Sequence, residues 1–245
     1  MKNLNQARQE HPWGYHIALD RHEDYAYDRL EITPGQKINL RLFVKYFGAI
    51  YVVSGAGKLS SGDISTDLDA EGQNNFLSYY PTLEEMSIAT REGIILQIVS
   101  IDDYPKILRE GYRVDKSQAW GPGGEELWLQ HNERFCFKRI VLPAGRVTSL
   151  QYHEQKYETN FIAQGLAQVY RGKNVGTREA TKIALEVIEA GPGDFFGVPT
   201  GLVHRVEALT DLVLLEASTT HVDDVIRIED ATGRGSGRIN SEHRS

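Results

Sequence analysis

The stretch GRVTSLQYHEQKYETNFIAQG (145–165) carries the most specific pattern in this sequence of 245 residues. Gln151 and His153 lie two residues apart on a predicted strand, so their side chains leave the same face of that strand. Glu158 begins the next predicted strand after a link of four residues. Three polar side chains with ligand atoms are therefore expected close together at one end of a strand pair.

A second stretch, GDFFGVPTGLVHRVEA (193–208), adds His204 after a Pro/Gly turn. One amide oxygen, one carboxylate and two imidazoles suit a divalent ion such as zinc, manganese, iron or nickel. Four protein ligands also leave room for water or substrate, as a catalytic ion requires. The alternative is a set of ordinary polar residues on the surface or in the core, and the spacing alone leaves both interpretations open.

The rest of the chain alternates with a period of two, which is typical of strands. These segments are short, rich in β-branched or aromatic residues, and bounded by Gly, Pro or Asp. They are YDRLEI (27–32), AIYVVSG (49–55), IILQIVS (94–100), RFCFKRIVL (134–142), FIAQGLAQVY (161–170) and DLVLLEAS (211–218). The best helical pattern is YPKILREGYR (104–113). The pattern predicts an all-β protein built as closed barrels or sandwiches.

An internal repeat predicts the domain organisation. The segment RLEITPGQKINLRLF (29–43) aligns with RIVLPAGRVTSLQYH (139–153) at an offset of 110 residues, and the offset grows to 118 near the end of each repeat. Repeats of this length match the commonest domain size. We therefore predict two homologous β-domains, roughly 1–114 and 115–245.

Composition excludes several partners and predicts a compartment. The net charge is −7, from 27 basic and 34 acidic residues, without the concentrated positive surface that nucleic acid requires. No segment approaches the ~20 apolar residues that span a bilayer, and the N-terminus lacks the apolar middle of a secretion signal. The single cysteine, Cys136, predicts a reducing, cytoplasmic compartment. The final segment, ATGRGSGRINSEHRS (231–245), predicts a polar, flexible tail.

The two metal-site motifs resemble those of the cupin superfamily, Gly-x5-His-x-His-x3,4-Glu-x6-Gly and Gly-x5-Pro-x-Gly-x2-His-x3-Asn. Gln151 stands where the first His usually lies, and Ala208 stands in place of the Asn. The closer resemblance is to the cupin part of type II phosphomannose isomerases. Similar sequences there are SLQYH (149–153), the opening HPWGY (11–15) and the ending DDVIRIED (223–230).

This resemblance implies a bicupin, with two double-stranded β-helix (jelly-roll) barrels in one chain. It implies one divalent ion per chain, zinc first and manganese, iron or nickel as alternatives. We also expect a homodimer. The implied ligands are Gln151, His153, Glu158 and His204.

The first repeat lacks the same ligands. The alignment places Arg41 opposite Gln151 and Phe43 opposite His153; Gly48 and Met86 stand opposite the other two ligands. A cationic side chain repels a metal ion, and the other three residues offer no strong ligand. We predict a degenerate, structural barrel over 1–114; the alternative is a site for an organic ligand around Arg41.

The resemblance implies a metal-dependent isomerase or epimerase acting on a sugar or sugar phosphate. Such chemistry needs a base beside the ion, for which Glu216 is the first candidate, because the resemblance places a Glu on that strand. Lys156 is expected to contact a phosphate or act as acid, unless it is simply solvated. Lys138 and Arg146 are further cations near the motif.

Two other functional classes stay open because one fold supports many chemistries. One is a metal-dependent oxygenase, lyase or hydrolase that acts on a small molecule. The other is a non-enzymatic cupin that binds carbohydrate.

Overall fold

The computed structural model describes residues 1–72, 75–79, 85–103, 107–115 and 120–239, with 107–115 described as backbone. Within these ranges strands dominate, and the helical elements are α1 (Leu4–Ala7), α2 (Arg178–Ile183) and a 3-10 turn at Leu40–Leu42. The strands are β1 (Lys2–Asn3), β2 (Arg8–His11), β3 (Gly14–Arg21), β4 (Ala26–Ile32), β5 (Lys37–Asn39), β6 (Phe47–Ser61), β7 (Ile64–Asp69), β8 (Phe76–Tyr79), β9 (Met86–Ala89), β10 (Ile94–Ile101), β11 (Ile107–Asp115), β12 (Glu125–Asn132), β13 (Cys136–Leu142), β14 (Leu150–Tyr152), β15 (Glu158–Gln164), β16 (Ala167–Lys173), β17 (Glu186–Ala190), β18 (Asp194–Val198), β19 (Leu202–Ala208), β20 (Leu212–Ser218) and β21 (Ile226–Glu229). Within the described ranges, no helix has the length and apolar character needed to cross a membrane.

The chain divides into two compact units. One contains the described residues of 3–110 and 129–135, and the other those of 1–2, 111–128 and 136–245. The predicted domains, 1–114 and 115–245, differ from these bounds in three short segments, 1–2, 111–114 and 129–135. Below, the two are called the first unit and the second unit.

The first unit contains a nine-stranded sheet with the central order β2-β3-β4-β10-β6-β9-β5, and with β7 and β8 paired to β6. Its core consists of aliphatic side chains that alternate along these strands, as the period of two predicts. Leu30, Ile50, Ile88 and Leu96 are among the fully buried members.

The second unit is built from two sheets. One has the order β1-β18-β15-β20-β13-β12-β11 and the other the order β17-β16-β19-β14-β21. Its core draws residues from both sheets, such as Ile162 and Leu214 from the first and Val169 and Val206 from the second. The apolar faces of the two sheets therefore pack on each other, which leaves their strand ends to form a site.

The strand registers reproduce the internal repeat. Ile32 of β4 pairs with Ile94 of β10, and Leu142 of β13 pairs with Leu212 of β20, as the offsets of 110 and 118 require. The equivalent strands therefore have the same neighbours and the same alignment in both units.

Two local predictions are wrong. Residues 107–115, which fall mostly within the predicted helix 104–113, form β11 at the edge of the seven-stranded sheet, while 104–106 lie outside the described residues. Strand pairing satisfies the backbone there and overrides a weak helical period. The predicted strand 161–170 is two strands, β15 and β16, because the chain turns at Gly165, whose φ is +85°.

Replacing Gly165 with alanine is expected to destabilise the second unit by about 3 kcal/mol, from a strained φ combined with a backbone clash. A Cβ atom there would lie 2.2 Å from the carbonyl oxygen of Asp211. Gly145→Ala is the matched control, because its φ is +75° but its Cβ would meet nothing within 4 Å. Urea unfolding measures both variants. Equal losses of unfolding free energy in Gly165→Ala and Gly145→Ala would show that the clash with the Asp211 carbonyl contributes nothing.

Candidate metal centre

Three strands of the second unit bring the predicted ligands together. Gln151 on β14 lies directly opposite His204 on β19. Glu158 begins β15, where it pairs with Val198 and Ser218 on the flanking strands. The ligand side chains therefore come from both sheets, at the point where strands begin or end.

His153, Glu158 and His204 form a buried group whose ligand atoms all lie within 4.8 Å of one another. His153 Nε2 is 3.1 Å from Glu158 Oε1, and His204 Nε2 is 3.7 Å from Glu158 Oε2. The two imidazole centroids are 5.2 Å apart. Two ring nitrogens and a carboxylate thus converge on one small volume, as a divalent ion requires.

Backbone carbonyls hold both rings by their other nitrogens. His153 Nδ1 donates to the Asp224 carbonyl, and His204 Nδ1 donates to the Leu202 carbonyl over 3.1 Å. This assignment leaves a lone pair on each Nε2, the arrangement usual for metal-binding histidines. The buried His153 Nε2 also makes no hydrogen bond within the described parts of the chain. The donor set therefore fits a metal ion.

The electrostatics of the group favour the protonation states that bind metal. Burial raises the pKa of Glu158, but Lys156 and the two imidazoles outweigh this and hold that pKa well below its usual value. Burial lowers the pKa of His204 by more than Glu158 raises it. Near neutral pH the group therefore offers an ionised carboxylate and a neutral His204 imidazole.

Gln151 lines the same cavity as Glu158 and is half-buried. Its Oε1 atom accepts a hydrogen bond of 2.6 Å from Ser149 Oγ. This bond orients the amide and uses one of the two lone pairs of Oε1. The role of Gln151 as a fourth ligand stays a prediction.

Lys156 is buried, in contrast to the interpretation of this residue as solvated. Its Nζ atom donates to Glu158 Oε1 over 2.5 Å and to Glu216 Oε1 over 2.9 Å. The Asp224 carboxylate accepts from the backbone N–H groups of Gln155 and Lys156, which holds the loop before β15 in place. The lysine therefore joins a predicted metal ligand to the predicted base.

Sequence reasoning gave no role to several cavity residues on β12 and β13. Lys138 pairs in register with Glu216, and its ammonium lies 3.5 Å from Glu126 Oε1 and 4.3 Å from the centroid of the Trp128 ring. The sequence signal that could have identified Lys138 was a lysine inside an apolar strand. Arg146, the other cation noted near the motif, is exposed and does not line this cavity.

The cavity has a volume of about 110 Å³ and lies entirely within the second unit. Four cationic side chains and three carboxylates line it. They are Lys138, Lys156, Arg227, Arg234, Glu126, Glu158 and Glu216. Arg234 is paired with Asp230, so the remaining three cations balance the three carboxylates, and a bound divalent cation would make the cavity favour an anionic ligand.

Part of the predicted flexible tail contributes to this cavity. Arg234 lines it and donates from Nε and NH2 to Asp230 Oδ2 over 3.0 and 2.8 Å. Arg227 donates to the carbonyl oxygens of Gly235 and Gly237. These ion-pair and backbone contacts order a segment whose composition alone predicts flexibility.

In the first unit, the described residues provide no metal ligands at the equivalent positions. Phe43 packs beside Trp13 and His16, with centroids 6.0 and 4.9 Å away, and Met86 is fully buried in the core. Another group, His22, Glu23 and Asp24, meets the same distance criterion but includes an exposed Glu23. Exposed acidic groups are common without an ion, and we assign no site there.

The class of fold follows from this architecture: the chain is an all-β protein with the bicupin fold, as predicted. Lactobacillus farciminis oxalate decarboxylase, solved as a formate complex, aligns with a TM-score of 0.65 and 12% identity, over 93% of this chain and 88% of that one. Bacillus subtilis oxalate decarboxylase at pH 4.6 aligns with a TM-score of 0.60 and 14% identity, over 88% and 75%. At these identities the likeness establishes the fold alone.

Among curated proteins, the chain is similar to the xanthan biosynthesis protein XanB of Xanthomonas campestris pv. campestris. The identity is 28% over 122 residues, in each of two strains. The match covers 48% of this chain and 24% of the relative, so it spans about a quarter of that protein. No family model matches the chain. The zinc identity, the homodimer and the cytoplasmic location stay predictions.

Removing the metal with a chelator is expected to lower the melting temperature without unfolding the protein at room temperature. An ion present at a thousand times its Kd stabilises by about 4 kcal/mol, which corresponds to roughly 8–16 °C for a chain of this size. The two cores are large enough to hold the fold without the ion. Circular dichroism against temperature, with and without chelator, measures the effect. Loss of the β signal at 25 °C would contradict this and make the ion structural.

Proposed function

We propose that the second unit is the active half of a metal-dependent isomerase that acts on a sugar or sugar phosphate. The observation that carries this proposal is the placement of Glu216 and Lys156 beside the ligand group. Lys156 Nζ contacts both Glu158 and Glu216, so an acid and a base lie next to the metal position in one cavity. Aldose–ketose isomerisation needs this combination.

His153, Glu158 and His204 would hold the ion, with Gln151 as the proposed fourth ligand. These residues would place a divalent ion where it could supply Lewis-acid polarisation of a substrate carbonyl. Glu158 is the one carboxylate among these three ligands. A divalent ion held by them would therefore keep a net positive charge. The remaining chemistry falls to side chains of the cavity wall.

Glu216 is the proposed base. Its Oε1 atom is the one that contacts Lys156 and Lys138, whereas Oε2 makes no hydrogen bond with the described residues. Oε2 takes the proton from the carbon next to the carbonyl and returns it to the former carbonyl carbon. One further proton passes between the two substrate oxygens, so the isomerisation gains and loses no atoms.

Lys156 acts as a hydrogen-bond donor that keeps its proton, rather than as a base. Although burial lowers the pKa of Lys156, the carboxylates of Glu158 and Glu216 raise it by more, and the ammonium stays charged. Its short contact with Glu216 also fixes the base against the cavity wall. We propose that Lys156 donates to a substrate oxygen that gains negative charge during enolisation.

The similarity to XanB supports sugar chemistry, because that relative is named for the biosynthesis of xanthan, a polysaccharide. The match covers a quarter of the relative, so it supports a class of substrate and leaves the substrate itself to experiment. Lys138, Lys156 and Arg227 in the cavity, together with a bound divalent ion, would suit an anionic sugar such as a sugar phosphate.

The size of the cavity favours a second candidate, a metal-dependent lyase or oxygenase acting on a small carboxylic acid. An engineered cavity of about 150 Å³ holds one benzene molecule, and this cavity measures about 110 Å³. A two-carbon acid fits inside it, whereas a hexose phosphate fits only with its reacting end inserted. The similar structures are named as oxalate decarboxylases, one of them with formate bound.

One experiment separates the two candidates. The metal-loaded protein is incubated in deuterated water with mannose 6-phosphate, a panel of free aldoses, and oxalate. Isomerisation through an enediol is expected to give the ketose, usually with deuterium on the carbon next to the carbonyl. Measurement is by NMR, with the Glu158→Gln variant as a control that weakens the metal site.

The outcomes separate clearly. Ketose formation that depends on Glu158 supports the isomerase. Consumption of oxalate without ketose formation supports the second candidate. No product and no exchange with any substrate would remove the isomerase proposal and favour the non-enzymatic binding protein.

A further inference from the structure

Lys138 is a buried cation that makes no short hydrogen bond to the residues that the structure describes. Its side chain is 7% exposed, and it lines the cavity of the second unit. Its Nζ atom lies 3.5 Å from Glu126 Oε1 and 3.9 Å from Glu216 Oε1. Both separations exceed the range of a normal N–H···O bond, about 2.7–3.2 Å. Lys156, by comparison, makes two hydrogen bonds to carboxylates.

Keeping such an ammonium buried is costly unless a partner satisfies its N–H groups. Burial lowers the pKa of Lys138, but Glu126 and Glu216 raise it by more, so the net direction is upward. The Trp128 ring lies under the ammonium at 4.3 Å and holds the charge in position without accepting a conventional hydrogen bond. The Lys138 ammonium thus places a positive charge in the cavity, and its N–H groups can donate to a bound ligand.

We propose that Lys138 binds a negatively charged oxygen of the substrate, from a carboxylate or a phosphate group. This rests on the proposed function in one respect, namely that the substrate enters this cavity. Two further cations, Arg227 and Arg234, line the same cavity, and Arg234 is paired there with Asp230. The anion therefore meets positive charge on more than one side.

The volume sets the size of the group that Lys138 binds. A cavity of about 110 Å³ accommodates inorganic phosphate or a two-carbon dicarboxylate, by comparison with the ~150 Å³ cavity that holds benzene. A larger substrate would insert its anionic or enolised end and leave the remainder outside. Inorganic phosphate and oxalate are therefore suitable probes for the two sources of the oxyanion.

The test is equilibrium binding of inorganic phosphate and of oxalate to the chelator-treated protein, measured by isothermal titration calorimetry at low ionic strength. The wild type is expected to bind at least one of them, and Lys138→Met is expected to weaken that binding at least tenfold. Lys173→Met is the matched control, because Lys173 is exposed and lies outside the cavity. It should leave the affinity unchanged.

A second variant distinguishes a loss of anion binding from misfolding. Lys138→Met removes the cation beside Glu126, whereas Glu216 keeps its contact with Lys156, so the double variant Glu126→Gln/Lys138→Met removes one charge of each sign. The new amide still accepts the hydrogen bond that Trp128 Nε1 donates to Glu126 Oε1. The double variant should fold and should still lose anion binding. Circular dichroism and the melting curve check that it is folded.

Several results would overturn the proposal: no binding of either anion to the wild type, wild-type affinity in both Lys138 variants, or an equal loss in Lys173→Met. Preference for oxalate identifies a carboxylate source, and preference for phosphate identifies a phosphate source; both support Lys138. The measurement involves no turnover. A protein that binds anions through Lys138 but isomerises no sugar would refute the proposed function and leave this inference standing.

Discussion

Replacing His153 or His204 with alanine is expected to abolish stoichiometric binding of the divalent ion, of which the wild type is expected to bind one per chain. Both rings contribute an Nε2 atom beside Glu158, and both are oriented through Nδ1 by a backbone carbonyl. Alanine removes one ligand and leaves no nearby side chain to replace it among the described residues of the group. Glu158→Gln weakens binding by removing the carboxylate charge.

Elemental analysis of protein purified without a metal-binding tag gives the stoichiometry. His221→Ala is the matched control, because His221 is exposed and lies outside the ligand group. The first unit has Phe43 and Met86 at the positions equivalent to the two histidines, and both pack with apolar neighbours. Two ions per wild-type chain, or full binding in both histidine variants, would contradict the assignment.

Glu216→Gln lowers turnover by roughly a hundredfold or more while the metal content stays unchanged, if the isomerase proposal is correct. The amide keeps the size of the side chain and can still accept a hydrogen bond from Lys156, so the cavity keeps its shape. It cannot accept the substrate proton. The measurement is the initial rate of ketose formation, together with the metal content of the same sample.

Glu189→Gln serves as the control for this variant. Glu189 is exposed on β17 and does not line the cavity, so its replacement should leave turnover and metal content as they are. Equal turnover in Glu216→Gln and the wild type would exclude Glu216 as the base. A loss of metal in Glu216→Gln would show that the residue acts on the ligand group through Lys156.

The sequence alone predicts the strands and the repeat well because both depend on local information. A period of two places alternate side chains on one face wherever a strand lies, and the core of the first unit follows this rule at Leu30 and Leu96. The repeat predicts the register of whole strands, as the pairs Ile32–Ile94 and Leu142–Leu212 confirm. The predicted helix at 104–113 is wrong because its period is weak and strand pairing satisfies its backbone.

The ligand group is predictable for the same local reason. Glycine and proline mark the turns, and the ligands occupy fixed offsets from those turns, so His153, Glu158 and His204 could be named before the fold was known. Lys156 lies between two of these ligands, but its sequence position does not reveal whether it points into the cavity or into solvent. Its ammonium contacts Glu216, which lies 60 residues away along the chain.

The sequence by itself therefore determined the all-β class and the spacing of the predicted metal ligands, and it predicted two related units, because these properties depend on local patterns. Only the tertiary structure decided what surrounds the ligands. Lys138 meets Glu216 because β13 pairs with β20, and Arg234 reaches the cavity because Asp230 holds its guanidinium. Contacts between distant segments set the burial and pairing of charges, and burial strengthens electrostatic interactions, so the chemistry of this cavity depends on the complete fold.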